Sequence, residues 1–449
     1  MTDKIDDIKE DMQDYIEKDI SIDEQWIEDK YPIDIAEALS EMEEEQIQEV
    51  VNLLDIEDLA EIVEQSEEEL QITILKSKSN EEIVDIFSYM ATDIITDILG
   101  NLPIQMSKNL LKHMKQSEAE VLKQLLGYDT ESAGGIMTTE YIVFNENLTV
   151  AETLKKIRNI GPKTEIIDMI YVQNYKKELV GVVELREIFN SSDETKLKDI
   201  MIDNVISVQP DVDQEIVAQQ VAKYDMSAMP VVNKNNKLLG IITFDDIIDV
   251  IEAENTEDMF RMVGVDEEES INSPFFKSIK RRLPWLFINL GTAFLAAFTV
   301  GLFEDVIARV AILAAAMPVV AGMGGNAGAQ TLSVVIRGIA LGEVEEEHKW
   351  KLVIKEGLLG LVHGIAIGIL TGGVLYFITG NPYLGLIIFA AMVFNLLIAG
   401  LFGFLIPLGL EAMGIDPALA SAIFLTTATD VFGFFAFLGL ATVFIDLLV

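Results

Sequence analysis

The sequence predicts a multi-domain membrane protein. It reads as an all-α helical superhelix at the N-terminus, a tandem pair of small α+β units, an acidic linker helix and an α-helical membrane domain of five spans. Three observations carry that reading. Residues 1–275 hold 63 Asp and Glu against 23 Lys and Arg, a net of −40, whereas residues 276–449 hold 11 against 9. The second stretch is a series of apolar runs, several longer than the roughly 20 residues that cross a bilayer. Between the two extremes lies a pattern that repeats after roughly 60 residues, as tandem domains do.

Residues 1–133 read as helices only. Apolar residues recur at spacings of three and four: Ile35, Leu39, Met42; Leu59, Ile62, Val63; Ile83, Val84, Ile86, Phe87, Met90; Ile94, Ile98, Leu102. Short polar breaks separate them, and Asp34-Ile35-Ala36-Glu37-Ala38-Leu39 is loosely echoed by Asp58-Leu59-Ala60-Glu61-Ile62-Val63, which predicts stacked helical hairpins. Asp93 and Asp97 stand four apart on one helical face, so their charges repel when nothing lies between them.

Near Ser132-Ala133-Gly134-Gly135 the texture turns strand-like, with Tyr141–Phe144, Ile170–Val172 and Leu179–Val183. Ile136-Met137 is echoed by Ile200-Met201, and Gly181-Val182-Val183 by Gly240-Ile241-Ile242. This tandem resembles a pair of CBS domains, placed at 134–199 and 200–255. An acidic linker helix is expected over 256–279, and its surroundings include the run Glu267-Glu268-Glu269.

Spans are expected at about 283–303, 306–341, 352–379, 383–412 and 416–447, within a membrane domain of 280–449. Lys280, Arg281 and Arg282 precede the first; Lys349, Lys351 and Lys355 lie between the second and third; the loop at Thr379–Pro382 has no Lys or Arg. Positive residues stay inside, which puts the N-terminal domains in the cytoplasm and, with five spans, the C-terminus outside the cell (inner) membrane.

Composition excludes several chemistries. With no cysteine there is no disulfide, zinc–thiolate site or Cys nucleophile, and a count of three histidines argues against a His-based metal site. A net charge of −40 in the soluble part argues against nucleic acid, whose phosphates need Lys and Arg, and favours cations. The alternative reading of the same acids is a merely soluble, solvated face.

Asp430 is the costliest residue of the membrane part. It follows Thr426-Thr427-Ala428-Thr429, and no Lys, Arg or His occurs from Ala418 to the C-terminus. A carboxylate at depth costs roughly 2.5–3.5 kcal/mol on insertion scales, so it marks an ion or proton path or is bonded to a neighbouring helix as packing glue. An intramembrane aspartyl protease would need two deep Asp residues in separate spans. Asp416 instead precedes Pro417 at a span's start, as a helix cap would, so no enzyme is expected. The second span carries Gly322-Met323-Gly324-Gly325-Asn326-Ala327-Gly328-Ala329-Gln330, small residues that let helices approach closely or free carbonyls to line a cavity.

Gly324–Gln330, Arg337, Asp416-Pro417-Ala418 and Thr426–Asp430 together resemble the MgtE family of magnesium channels and transporters, and the order of domains agrees over essentially the whole chain. The resemblance implies a homodimer in membrane lipid with the pore on its two-fold axis, lined mainly by the second and fifth spans. Asp430, Ala428, Thr427, Asn326 and Gly325 would meet the ion there. The family pattern places a further polar residue where this chain has Ala422. The resemblance also implies a plug role for the linker helix and regulatory Mg²⁺ at Asp93, Asp97, Asp213, Glu215, Asp225, Asp246, Asp249, Glu254, Glu257 and Asp258. ATP at the CBS pair stays open, as do Co²⁺ or Mn²⁺ as the carried ion and export rather than import. With no phosphate loop of an ATPase, transport is expected to follow the electrochemical gradient.

Overall fold

In a computed structural model of the chain, residues 2–18, 22, 24–159, 168–267, 269–344 and 347–448 are described. Glu268 of the acidic linker run lies outside them. Two units divide the chain, Met1–Val250 and Ile251–Val449.

The first unit opens with ten short helices among the described residues, from Thr2–Lys18 to Gln116–Leu125. From Pro32–Ser40 onward each has only 8 to 10 residues, too short to be stable alone in water. Packing therefore decides. Each helix lies on the next but one: Pro32–Ser40 on Ile56–Glu64, that on Asn80–Phe87, and that on Ile104–His113. Glu44–Val51, Glu68–Lys76 and Thr92–Asn101 form the second layer. The expected apolar positions Ile35, Leu39, Leu59, Ile62, Val63, Ile83, Ile86, Phe87, Ile98 and Leu102 are all buried in one core, confirming the stacked superhelix. The breaks are set by caps, as at Ser79, which accepts from the Glu82 amide while Glu82 accepts from the Ser79 amide.

Two small sheets follow. Val143–Asn145 pairs parallel with Met169–Gln173, which pairs antiparallel with Leu179–Glu184. Ala228–Val232 pairs antiparallel with Leu238–Thr243. Tyr171, Val182, Ala228, Val232 and Ile241 from both sheets share one core, so the repeats meet through their sheets. The Met starts cross over. Met137 packs on Gly240 of the second repeat, where an added Cβ would stand 2.8 Å from its sulfur, and Met201 packs on Gly181 of the first. Each packing unit thus contains the leader of the other repeat, and the cut at 199/200 does not follow the packing.

The acidic helix runs unbroken over Phe244–Met262, so a boundary at 255/256 falls inside it. Residues 256–279 are not one helix. Gly264, at φ +71°, ends the acidic helix, and Pro274 caps the next, Phe275–Gly301.

Five helices of the second unit are long and apolar enough to cross a membrane: Phe275–Gly301, Ile312–Ala340, Lys349–Thr379, Pro382–Ala412 and Ser421–Val443. The first starts earlier than its apolar run because Arg281 and Arg282 extend it and pair with Asp266 (3.4 Å) and Glu269 (2.8 Å). The second starts later than expected, since Glu304–Arg309 forms a separate short helix. The fifth starts at Ser421 because Ala420 takes a left-handed conformation, φ +51°. The third and fourth form a tight hairpin: Gly380 closes one in the left-handed region, and Asn381 caps the other by accepting from the Tyr383 amide at 2.9 Å. Gly360, Gly364, Gly368 and Gly372 bring the third helix onto the backbone of the fourth. At the other end Lys349 meets Glu411 at 3.2 Å. The fourth helix is the most buried of the five and forms the centre of the bundle.

Candidate ion path and metal sites

The second and fifth membrane helices pack antiparallel. Gly324 lies beside the level of Gly433, a Cβ added at Gly325 would stand 3.8 Å from the Thr426 methyl, and Gly328 sits on Leu425. Leu425, Thr429, Gly433 and Phe437 form the buried stripe of the fifth helix; Val320, Gly324, Gly328 and Leu332 form that of the second. The expected ion ligands lie off these stripes. Asn326 is exposed, while Gly325, Thr427, Ala428 and Asp430 are half-buried. Among the described residues no group hydrogen-bonds or ion-pairs with the Asp430 carboxylate, so it does not serve as glue within its own chain.

Two expected ligands are already engaged. The Thr427 hydroxyl donates to the Ile423 carbonyl at 2.7 Å. Ala428 sits inside an unbroken helix, where its carbonyl has one lone pair left beyond the helical bond. Ala422 packs in an apolar cluster with Leu332, Ile336 and Leu425.

Asp416 does cap a turn, accepting from the Ala418 amide at 2.7 Å, but it also receives Arg261 at 2.6 Å. Arg261 further donates to Glu267 at 2.9 Å and pairs with Glu257, and its carbonyl accepts from the Ala420 amide at 2.7 Å. Beside it, burial, then Asp416 and Glu254, push Asp258 up to about 6, against the pull of Arg261. Glu254, Glu257 and Asp258 are therefore brought together, with a guanidinium already among them.

In the first unit, Asp93 and Asp97 meet Asp246. Asp93 is 8% exposed, and its Oδ1 has no hydrogen-bond partner. Burial, then Asp246, lifts Asp93 to about 7, and the same causes lift Asp97 to about 6. Burial also raises Asp246, with Asp249 adding to it, although Asp246 caps its helix by accepting from the Thr243 amide. Asp213 is an N-cap that accepts from the Glu215 amide at 2.8 Å, and Asp225 is a left-handed C-cap at φ +50°. These three do not join the Asp93 group. Asp225 lines a cleft of about 570 Å³ together with Asp168, Glu184, Arg186 and Tyr224.

Among the described residues no three His, Asp or Glu side chains close around one point. The orphaned Asp93 oxygen and its acidic neighbours nevertheless suit Mg²⁺, which keeps several waters and is commonly held by one or two carboxylates.

Sequence reasoning passed over three polar residues. Asn395 is fully buried in the fourth membrane helix. The Glu356 side chain is 12% exposed in the third helix and accepts from Thr331 of the second at 3.4 Å. Arg261 was hidden because its partner Asp416 lies far away in sequence. The two membrane side chains carried the signal that picked out Asp430, a polar group within an apolar run.

The comparisons agree with this layout. The family described as a divalent cation transporter matches residues 317–440, the MgtE intracellular N domain matches 30–131, and CBS domains match 133–194 and 197–253. The fold and site thus define a multi-pass divalent-cation transporter with cytosolic N-terminal and CBS domains. The magnesium transporter MgtE of Bacillus subtilis is 32% identical over 93% of both chains. That of Thermus thermophilus is 34% identical over 76% of both. The solved soluble part of a magnesium transporter, 30% identical, superposes with a TM-score of 0.50 over 56% of this chain and 99% of its own. The chain belongs to the MgtE family of magnesium transporters, whose members are transporters and not enzymes.

Proposed function

We propose that the protein is a Mg²⁺-selective channel that imports magnesium down its electrochemical gradient and closes when Mg²⁺ binds its cytosolic acids. The observation that carries the transport reading is Asp430, an intramembrane carboxylate with no partner among the described residues of its own chain, on the open side of the paired second and fifth helices. In a homodimer it faces the partner subunit's Asp430 across the two-fold axis. Two carboxylates there balance the charge of one divalent ion. They hold it through its own waters, as suits an ion that dehydrates reluctantly. Asn326 and the spare lone pair of the Ala428 carbonyl complete the polar wall; Gly325 keeps it open, and Thr427 contributes no proton of its own.

Closure rests on the Asp93, Asp97 and Asp246 group. Without a cation these charges repel across the contact between the helical N-domain and the second CBS repeat; Mg²⁺ removes the repulsion and favours the packed form. Asp213, Glu215, Asp225 and Asp249 offer further cation contacts in the same unit. Glu254, Glu257 and Asp258 form a separate acidic group beside Asp416. The cleft lined by Asp168, Arg186 and Asp225 is large enough for a nucleotide, so ATP is the ligand we assign to the CBS pair. The C-terminus lies outside the membrane that holds the spans, by the placement of Lys and Arg.

Flux into proteoliposomes tests the reading. Wild type is expected to carry Mg²⁺ in preference to Co²⁺ and Mn²⁺, and Asp430→Ala to lose flux. Equal flux in both proteins would overturn the assignment of Asp430, and equal or greater flux of Co²⁺ or Mn²⁺ would replace the cargo.

A further inference from the structure

Asn395 is fully buried in the fourth membrane helix, within Met392-Val393-Phe394-Asn395-Leu396-Leu397. Its Nδ2 donates to the Val320 carbonyl of the second helix at 2.8 Å, and its Oδ1 has no hydrogen-bond partner. The amide fills a slot made by two glycines. A Cβ at Gly324 of the second helix would overlap it, and a Cβ at Gly433 of the fifth would stand 2.7 Å from Oδ1. Gly324 is one residue before Gly325-Asn326, and Gly433 is three residues after Asp430. One side chain of a third helix therefore touches both helices of the ion path at the level of its polar residues.

We propose that Asn395 is the positioning residue of the ion path. It acts as a polar wedge that fixes the separation and register of the second and fifth helices, and hence the distance at which Asn326 and Asp430 face the ion. The inference rests on the reading of Asp430 and Asn326 as ion-path residues.

A buried amide is costly unless paired, so its presence calls for a return that Leu at the same position would not give. Asn395 does not join the two helices by a symmetric pair of bonds. It bonds one and abuts the other, which sets a spacing rather than merely adding adhesion. Small residues at 324 and 433 give helix backbones close approach, and here the space they leave is taken by the amide and not by backbone. Close-packed contacts of this kind transmit sub-ångström shifts, to which ion coordination is sensitive.

The test uses the full-length protein in proteoliposomes at low internal Mg²⁺, with Asp430→Ala as reference. N395A is expected to assemble, yet to raise the half-saturating Mg²⁺ concentration by about tenfold and to narrow the preference for Mg²⁺ over Co²⁺, the scale expected from a sub-ångström misplacement. G433A is expected to lose most of its flux, because the new methyl meets Asn395. The N395A/G433A double variant, in which the collision is gone, is expected to recover to the level of N395A. Should N395A fail to assemble in detergent, N395S is read in its place. Wild-type half-saturation and selectivity in N395A, or no recovery in the double variant, overturns the wedge. If Asp430→Ala transports normally, the ion-path reading falls instead, so the two failures are told apart.

Discussion

Replacing Asp93 with Asn is expected to tighten the first unit in the absence of Mg²⁺ and to remove most of its response to Mg²⁺. Asp93 is 8% exposed, and its carboxyl is carried from 3.8 up to about 7, mainly by burial and then by Asp246. A pKa raised on folding means that the packed state holds a proton that the opened state releases. The contribution of Asp93 to stability is therefore full below about pH 4, falls as pH rises to about 7, and is lost above that. The span from 3.8 to about 7 corresponds to at most about 4 kcal/mol. Asn removes the charge but still buries an amide, so about 2 kcal/mol is the gain expected at pH 8. That is about thirtyfold in the population of the opened state. Asp97 has packed neighbours that lift it to about 6, but much of its surface still meets solvent, so its shift contributes less.

Limited proteolysis of the full-length protein in detergent reads this population, provided opening and reclosing outpace cleavage. Rates are normalised to an unfolded substrate at each pH. Wild type at pH 8 without Mg²⁺ should be cut fastest. Lowering the pH to 5.5, adding Mg²⁺, or making the Asp93→Asn substitution should each slow the cut, and the three effects should not add. Identical rates for wild type and D93N at pH 8, or an undiminished Mg²⁺ response in D93N, would refute the reasoning.

Arg261→Ala leaves Glu257, Asp258 and Asp416 facing one another without their guanidinium; Arg261 is about three-quarters buried and bonds several acids, so a loss of about 2–3 kcal/mol is expected. The transition temperature in detergent should fall, and added divalent cation should restore part of it; an unchanged transition would show that the cluster adds nothing. Gly360→Ala sets a methyl on the Leu396 carbonyl of the fourth helix, where backbone cannot yield, so well over the about 1–3 kcal/mol of ordinary overpacking is expected. Little assembled protein should be recovered, and wild-type yield with an unaltered melting curve would contradict the close approach.

How far the sequence could be read depended on the distance over which each feature is specified. Helix existence in the first unit was legible because each short helix writes its own apolar period, and Ile35, Leu39, Ile83 and Phe87 all went where that period sent them. Span ends were less legible. Ala420 turns left-handed and Arg282 extends a helix through Glu269, and neither shows in hydropathy. The crossing of Met137 and Met201 between the CBS repeats could not be read at all, since a repeat in sequence does not say which copy a leader joins. Among the candidate residues, Asp246 lies near enough to Asp93 and Asp97 to raise both, whereas Asp213 and Asp225 stand at helix ends apart from them. Acids at caps and acids at candidate metal sites look alike in a chain this acidic.

The membrane bundle divides its labour in a way that explains why Asp430 can stay unpaired. The third and fourth helices are locked backbone to backbone through Gly360, Gly364, Gly368 and Gly372. The fourth then supplies the buried surface on which the second and fifth helices lie. Those two bury Leu425, Thr429, Gly433 and Phe437 on one side and Val320, Gly324, Gly328 and Leu332 on the other, which secures them without using the face that carries Asp430. Asp430 is thus free of structural duty. A carboxylate that had to hold helices together would be paired within the chain; one whose helix is secured by glycine contacts and by the Asn395 amide is left free, on the proposed reading, to meet a cation.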